Sequence, residues 1–228
     1  MQHSTIEQSF FDQLSQACAS LSLTPTQQQK ERLLEYINQL IKWNKTYNLT
    51  AIRLPEQALV QHIFDSLAVI QPLTQYLFQN QPRTPKTVLD VGSGAGIPGV
   101  IIAIMIPEAS VTCIDTVEKK MTFVRQVRGV LSLTNLHAVH QRVELFEDGP
   151  YDVVISRAFA SLQDFVTLAG NRVNVDAKLL AMKGKEPHDE IQALNEKTTW
   201  CAESIEALSV PQLSAQRCLV WLKRKGKK

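Results

Sequence analysis

The spacing of glycines is the first feature of this chain that could do chemistry. The run Val88-Leu89-Asp90-Val91-Gly92-Ser93-Gly94-Ala95-Gly96-Ile97-Pro98-Gly99 follows a β-branched stretch and opens an apolar segment compatible with a helix. Glycines at 92, 94 and 96 permit positive φ and let backbone amides approach a ligand at the carboxyl end of a strand, where open α/β sheets bind one. Gly94, Gly96 and Gly99 also satisfy G-x-G-x-x-G, the dinucleotide pattern, which alone is a weak signal. Asp90 separates the two readings. A carboxylate at the entrance of the loop repels a pyrophosphate, whereas it favours the ammonium and sulfonium of S-adenosylmethionine. Pro98 suits the start of the following helix. Asp115 closes the next β-branched run, where it can accept hydrogen bonds from both ribose hydroxyls of a nucleoside, or can be an exposed strand-end residue.

Two further segments bear on the reaction. Gln141-Arg142-Val143-Glu144 follows the third β-branched run, beside the adenine pocket of such folds; Val143 and backbone amides there can contact adenine, or the segment is a plain loop. The fourth run ends Ile155-Ser156-Arg157-Ala158-Phe159-Ala160. It lacks the Asn or Asp before Pro-Pro-Tyr that serves exocyclic base amines, and it has no cysteine to attack a pyrimidine ring. A ring nitrogen with a free lone pair, such as guanine N7, needs neither. It carries no proton to remove, so alignment with the methyl group suffices and no catalytic side chain is expected. Arg157 is read as a cofactor or phosphate contact.

The elements that must position these residues can be read from periodicity. After residue 86, short β-branched runs alternate with helical patterns, the mark of a parallel sheet. The expected strands are Thr87–Val91, Ser110–Asp115, Leu136–His140, Tyr151–Ser156, Lys178–Lys183, Glu203–Val210 and Arg217–Leu222. The expected helices are Gly99–Ile106, Val117–Leu131, Leu162–Asn171 and Glu186–Asn195. No helix separates the last two strands, so they should pair antiparallel. This is the doubly wound, mostly parallel seven-stranded α/β sheet of a class I, Rossmann-like methyltransferase. No glycine occurs before Gly92, and residues 1–84 read as a helical extension joined to a domain over 85–228 by the polar stretch Gln79–Pro85. Thr24, Pro25 and Gln27 suggest a capped helix start. Leu33, Leu34, Ile37, Leu40 and Ile41 form an apolar stripe. A second helix is expected from Glu56 to Gln71, with Leu59, Ile63, Leu67 and Ile70 on one face and Pro72 ending it.

Composition excludes other classes. The 228 residues are 44% hydrophobic and 20% charged, an ordinary globular balance. Residues 1–14 contain no basic start and no apolar run, so no secretory signal is expected. The longest apolar run, Val100–Ile106, is far short of a bilayer span. Four separated cysteines and five scattered histidines offer no metal-ligand spacing. A cytoplasmic protein with reduced thiols, no metal and no membrane is expected. Five of the 24 basic residues, Lys223, Arg224, Lys225, Lys227 and Lys228, sit at the C-terminus, and the other 19 face 22 acidic ones. A globally basic nucleic-acid binder is thereby excluded; any RNA affinity must be local, and the tail is either an RNA contact or a solvated end.

Several long segments together resemble the bacterial 16S ribosomal RNA guanine-N7 methyltransferases, the glucose-inhibited division protein B family. They are Trp43-Asn44-Lys45-Thr46-Tyr47-Asn48-Leu49-Thr50, His62-Ile63-Phe64-Asp65-Ser66, Asp90 to Gly99, Arg125-Gln126-Val127, Ile155 to Ala160 and Met182-Lys183-Gly184. The resemblance covers nearly the whole chain. It implies S-adenosylmethionine as cofactor, contacts to it at Gly92, Ile97, Val143, Glu144 and Arg157, and a guanine in the decoding-region loop of the small ribosomal subunit as target. It also gives meaning to polar groups outside the loop. Lys45 and Asn48, with Trp43, Tyr47 and Arg53, suit RNA backbone and base stacking, or the aromatics pack the extension on the main domain. His62, expected with these residues as an RNA contact, shares a helical face with Asp65, as a pair at the site or a local structural pair. Arg125 and Arg128 share another, as phosphate contacts or solvated surface. A monomer is expected. Two other readings remain: an NAD-linked oxidoreductase, against which Asp90 and the lack of a Tyr-x-x-x-Lys pair count, and a non-catalytic RNA-binding module, against which the intact loop counts.

Overall fold

Near-continuous runs of buried side chains in the central strands require a sheet that is covered on both faces. The computed structural model describes residues 2–79 and 86–226. The strands are β1 (Lys86–Val91), β2 (Ala109–Asp115), β3 (Leu136–His140), β4 (Tyr151–Ser156), β5 (Val173–Lys183), β6 (Trp200–Ala207) and β7 (Cys218–Arg224). Their order across the sheet is β3-β2-β1-β4-β5-β7-β6. The first five are parallel, and β7 runs antiparallel to both β5 and β6. Val88, Val111, Cys113, Val153, Ile155, Leu180, Leu219 and Trp221 point into one core. Leu89, Val91, Ile114, Val154, Leu179, Val220 and Leu222 point into the other. Every expected strand is present, and β5 and β6 begin three to five residues earlier than their β-branched centres suggested.

Helices fill both sides. The first core takes α6 (Gly99–Met105) and α7 (Glu118–Val130); the second takes α8 (Leu162–Ala169) and α9 (His188–Lys197). The chain before the sheet forms α1 (Gln2–Ser20), α2 (Gln27–Tyr47), α3 (Pro55–Ala58), a π-helical turn (Leu59–Phe64), α4 (Asp65–Leu67) and α5 (Ile70–Phe78). These helices do not have a core of their own. Leu33, Ile37, Leu40, Leu59, Ile63 and Leu67 lie in the same cluster as Val88 and Ile101. No helix among the described residues is long and apolar enough to cross a membrane.

Several helix boundaries differ from the sequence reading: α8 ends two residues early, α9 lies two residues late, and two differences in the extension have a clear cause. The N-cap of α2 is Thr26, not Thr24: its hydroxyl accepts from Gln29 N, and the Gln29 side chain returns the bond to Thr26 N. The other end of that Gln29 amide donates to Ile104 O, so the cap also ties α2 to α6. Threonines at both 24 and 26 fit a cap by type; tertiary contact decides between them. Pro72 does not end a helix. It sits in the first turn of α5, where its missing N–H costs nothing, and the break falls at Ala68–Val69 instead. The stripe Leu59, Ile63, Leu67, Ile70 is buried as expected. The linker at 80–85, the 84/85 boundary, and Lys227 and Lys228 lie outside the described residues. Of the remaining basic tail, Arg224 donates to Gly170 O and Asn174 O and lies over the Trp200 ring, and Lys225 donates to Asn195 O and Thr198 O. Lys223 pairs with Glu203. These three residues are bound to the fold.

Candidate cofactor and substrate site

The glycine loop between β1 and α6 is shaped by contacts that only glycine allows. Gly92, Gly94 and Gly96 all have positive φ. A Cβ on Gly92 would lie 2.8 Å from the Cβ of Ala158, and one on Gly96 would lie 2.5 Å from a Val100 methyl. Gly99 has an ordinary φ but a Cβ there would meet the Cys113 sulfur at 2.4 Å. The loop's amides are turned inward at several points: Gly92 N donates to Ile114 O, and Gly96 N and Ile97 N to Ser93 O. From the helical extension, the buried Tyr36 hydroxyl donates to Ala95 O at 2.9 Å. Burial raises the Tyr36 pKa well above its usual value, so it remains a donor.

Asp90 does not stand where the sequence reading put it. Its relative exposure is 0%, and Oδ2 accepts from Gly99 N at 2.8 Å. It braces the start of α6 from within rather than presenting a charge at the entrance of the loop. Burial pushes its pKa up to about 7, offset in part by the Gly99 amide and by Arg157. Asp115 is also buried, with Oδ2 accepting from Gly94 N and Oδ1 from Val117 N, both at 2.9 Å. Each oxygen keeps a lone pair, and the side chain lines a cavity of about 210 Å³ together with Gly92, Ile114, Val143, Glu144 and Ala158. Val143 is buried in a 3-10 turn (Val143–Leu145). Glu144 is exposed; its own backbone amide and the Arg142 guanidinium at 2.7 Å hold its carboxylate below the usual range.

That cavity is the first part of a trough. Gly92 and Ala158 also line a second cavity of about 200 Å³, with Gly94, Ala95, Ile97, Leu49 and Thr50. His62 and Arg157 line both the second and a third, of about 370 Å³, which adds Gln61, Asp65, Met182, Lys183 and Arg217. Around the third cavity the charges are fully organised. Asp65 is buried and accepts from Arg157 at 3.0 Å and from Arg217 at 2.8 Å. Arg157 also donates to Gln61 O. Lys183 pairs with Glu190. The expected His62–Asp65 pair is absent. His62 meets the Thr50 hydroxyl at 3.1 Å through Nε2 and Gln61 O through Nδ1, because the π-helical turn rotates it away from Asp65. Burial, then Arg157, pushes the His62 pKa down to about 4, so it is neutral near pH 7.

The remaining polar candidates are dispersed. Lys45 is exposed near the end of α2, whose left-handed cap is Asn48. Arg53 donates to Asn48 Oδ1. Arg125 and Arg128 lie on the exposed face of α7 and line none of the three cavities. Trp43 packs on Phe123 and Tyr47, which favours the packing alternative for it. Sequence reasoning missed Tyr36, Thr50 and Arg217. A lone phenol on an otherwise aliphatic stripe was a usable signal for Tyr36. Arg217 had none, since it reaches Asp65 from 152 positions away. Among the described residues no group of His, Cys, Asp or Glu could hold a metal.

A strand order of this kind, with a trough at the carboxyl ends of β1, β2 and β4, defines a class. The fold matches the plantazolicin methyltransferase BpumL, solved with SAH and a triazolic desmethylPZN analog, at TM-score 0.56 and 13% identity over 87% of this chain and all of that one. It also matches a SAM-dependent methyltransferase from Aquifex aeolicus at TM-score 0.53 and 17% identity, over 73% of this chain and 92% of the other. The chain thus has the Rossmann-like fold of class I methyltransferases. Within that class, residues 29–220 match the GidB family model, described as rRNA small subunit methyltransferase G. The chain is 56% identical over 211 residues to the ribosomal RNA small subunit methyltransferase G of Bordetella petrii, covering 92% of this chain and 82% of the relative. With that of Bordetella avium it shares 54%, covering 92% of each. The chain belongs to this family. Neither the oxidoreductase nor the non-catalytic reading finds support.

Proposed function

We propose that this enzyme methylates N7 of a guanine in 16S ribosomal RNA, using the joined trough as its site. The observation that carries this reading is the continuity of three cavities across Gly92–Ala158 and His62–Arg157. S-adenosylmethionine supplies an electrophilic methyl group on a sulfonium. The residues fit it: Asp115 has acceptor capacity for ribose hydroxyls, Val143 gives an apolar wall for adenine, and Gly92, Gly94 and Ile97 leave room for the methionine end. Gly96 and Asp90 shape the loop from behind, and Glu144 borders the adenosine end. The third cavity would then receive the base.

What the chain's own groups do at the junction suits N7. That atom needs no proton removed, and alignment alone can account for a large rate effect. His62 is neutral and adds no positive charge where charge passes to the base. Arg157 is held by Asp65 and Gln61 O, beside both reactants. Lys45, Asn48, Arg53, Arg125 and Arg128 are exposed and polar, and we read them as RNA contacts outside the trough. We further read residues 1–84 as a helical extension of a domain over 85–228, and the enzyme as a cytoplasmic monomer. The test is methyl transfer from labelled cofactor to small subunits, and to free 16S RNA, from cells lacking the enzyme, with aniline-induced cleavage mapping N7-methylguanosine. Label confined to one guanine N7 is the expected result. Label on another atom, or on neither RNA, would refute the reading.

A further inference from the structure

A strap, residues 48–54, crosses from the end of α2 to α3 without regular structure. Several of its backbone groups are nonetheless held. The buried Asn44 side chain accepts from Thr50 N at 2.9 Å and donates to Ile52 O at 3.0 Å. Thr50 Oγ1 accepts from Ile52 N, which leaves its own proton for one further acceptor. That acceptor is His62 Nε2, 3.1 Å away, while His62 Nδ1 donates to Gln61 O. Gln61 O also accepts from Arg157. One chain of hydrogen bonds thus runs from α2, through the strap and the π-helical turn, to the end of β4. Thr50, at the middle of this chain, and its neighbour Leu49 line the second cavity together with Gly94 and Ile97.

We propose that Thr50 is a positioning residue whose hydroxyl fastens the strap to His62 and so closes the methionine end of the cofactor trough. This rests on the methyltransferase reading above. Its physical content is specific. The adenosine end, at Asp115 and Val143, lies in a different cavity that neither Thr50 nor His62 touches. A released strap should therefore weaken recognition of the amino-acid end and leave the nucleoside end alone. His62 serves as the anchor because it is held as the neutral tautomer, with Nε2 open to accept and Nδ1 occupied by Gln61 O. Valine in place of threonine keeps the branched shape and removes both the donor and the acceptor.

The experiment compares two ligands by calorimetry on the full chain. S-adenosylmethionine carries the amino-acid end, and 5′-deoxy-5′-methylthioadenosine lacks it. Thr50→Val should bind the first about tenfold more weakly, or worse, and the second within about twofold of the parent, whereas Thr50→Ser should restore the first to within about threefold; tenfold corresponds to about 1.4 kcal/mol. Unchanged affinity for both ligands in Thr50→Val overturns the proposal, as does an equal loss for both, which would report general damage. Failure of serine to restore binding would assign the effect to the methyl group and overturn it as well. If Thr50→Val does not fold, His62→Leu removes the bond from its other side, and the same split between ligands is required. A parent protein that binds neither ligand would instead remove the methyltransferase reading itself.

Discussion

The two ends of the trough are built on opposite principles. Around the glycine loop, shape is set by what is missing: three positive-φ glycines and one crowded one, with backbone amides bonded to neighbouring carbonyls. Between the π-helical turn and β7, shape is set by charge: one buried carboxylate holds two arginines drawn from distant parts of the chain. The first arrangement leaves no room for an added atom at Gly92, Gly96 or Gly99. The second tolerates no lost charge. A site made this way can recognise a fixed small molecule at one end while its other end remains polar enough for nucleic acid.

The sharpest way to break that contrast is Gly92→Asp. Any L side chain at φ +68° costs roughly 1–2 kcal/mol, and its Cβ would press on Ala158 at 2.8 Å. Affinity for S-adenosylmethionine should fall by at least about a hundredfold, equivalent to about 2.7 kcal/mol. Circular dichroism should show the fold retained. A folded variant with parental affinity would disprove the loop's role.

The charged end should fail differently. Asp65→Ala leaves Arg157 and Arg217 facing each other without a counter-charge, a change whose usual cost is about 3 kcal/mol. Chemical denaturation should show a lowered midpoint, and cofactor binding should suffer less than stability. If stability is unaltered, the two arginines find other partners and the contrast between the ends loses its basis. Asp115→Ala lies between these cases. Losing hydrogen bonds to a charged group costs about 1.5–3 kcal/mol, on the order of ten- to a hundredfold in cofactor affinity. A loss below about twofold would remove Asp115 from the site.

The same contrast decides what could be read from sequence. The glycine loop and every strand were legible because the loop depends on local spacing and the strands on short β-branched runs, the second of which ends at Asp115. Asp90 was misread because a carboxylate's direction at a strand end is set by the sheet's pleat, and here it points under the loop to Gly99 N. The pairing of Asp65 was illegible for another reason. Its partners lie 92 and 152 positions away, and a π-helical turn had already moved His62 off its face. Spacing by three assumes an α-helix, and that assumption failed at the turn that carries His62.

The smallest effects concern pH. His62, depressed to about 4 in the folded chain from 6.5, adds stability that is complete above pH 6.5 and is lost as pH falls toward 4. Asp90, raised to about 7 from 3.8, acts with the opposite sign: its contribution is complete below 3.8 and is lost as pH rises through 7. Between pH 4 and 6.5 the two oppose each other. Replacing His62 by Asn removes one of them. The difference in thermal midpoint, variant minus parent, should therefore shift downward as pH rises across that window. An upward shift would mean His62 is protonated in the native protein. Separately, the maximal methyl-transfer rate should be flat from about pH 6.5 to 8.5, since no acid or base is used. A steep rise that disappears in the Asn variant would make His62 a base.

The sheet's order has a consequence for the chain's birth. β6 is made before β7, yet it touches the rest of the sheet only through β7, which lies between it and β5. While a ribosome is still producing residues 208–224, β6 has no edge to join, and β5 stands open with its partner unmade. The glycine loop and its three neighbouring strands are by then complete in sequence. The nascent enzyme can thus assemble the cavity beside Asp115 early, whereas Arg217, and with it the closure of the charged end around Asp65, arrives among the last side chains to be threaded out.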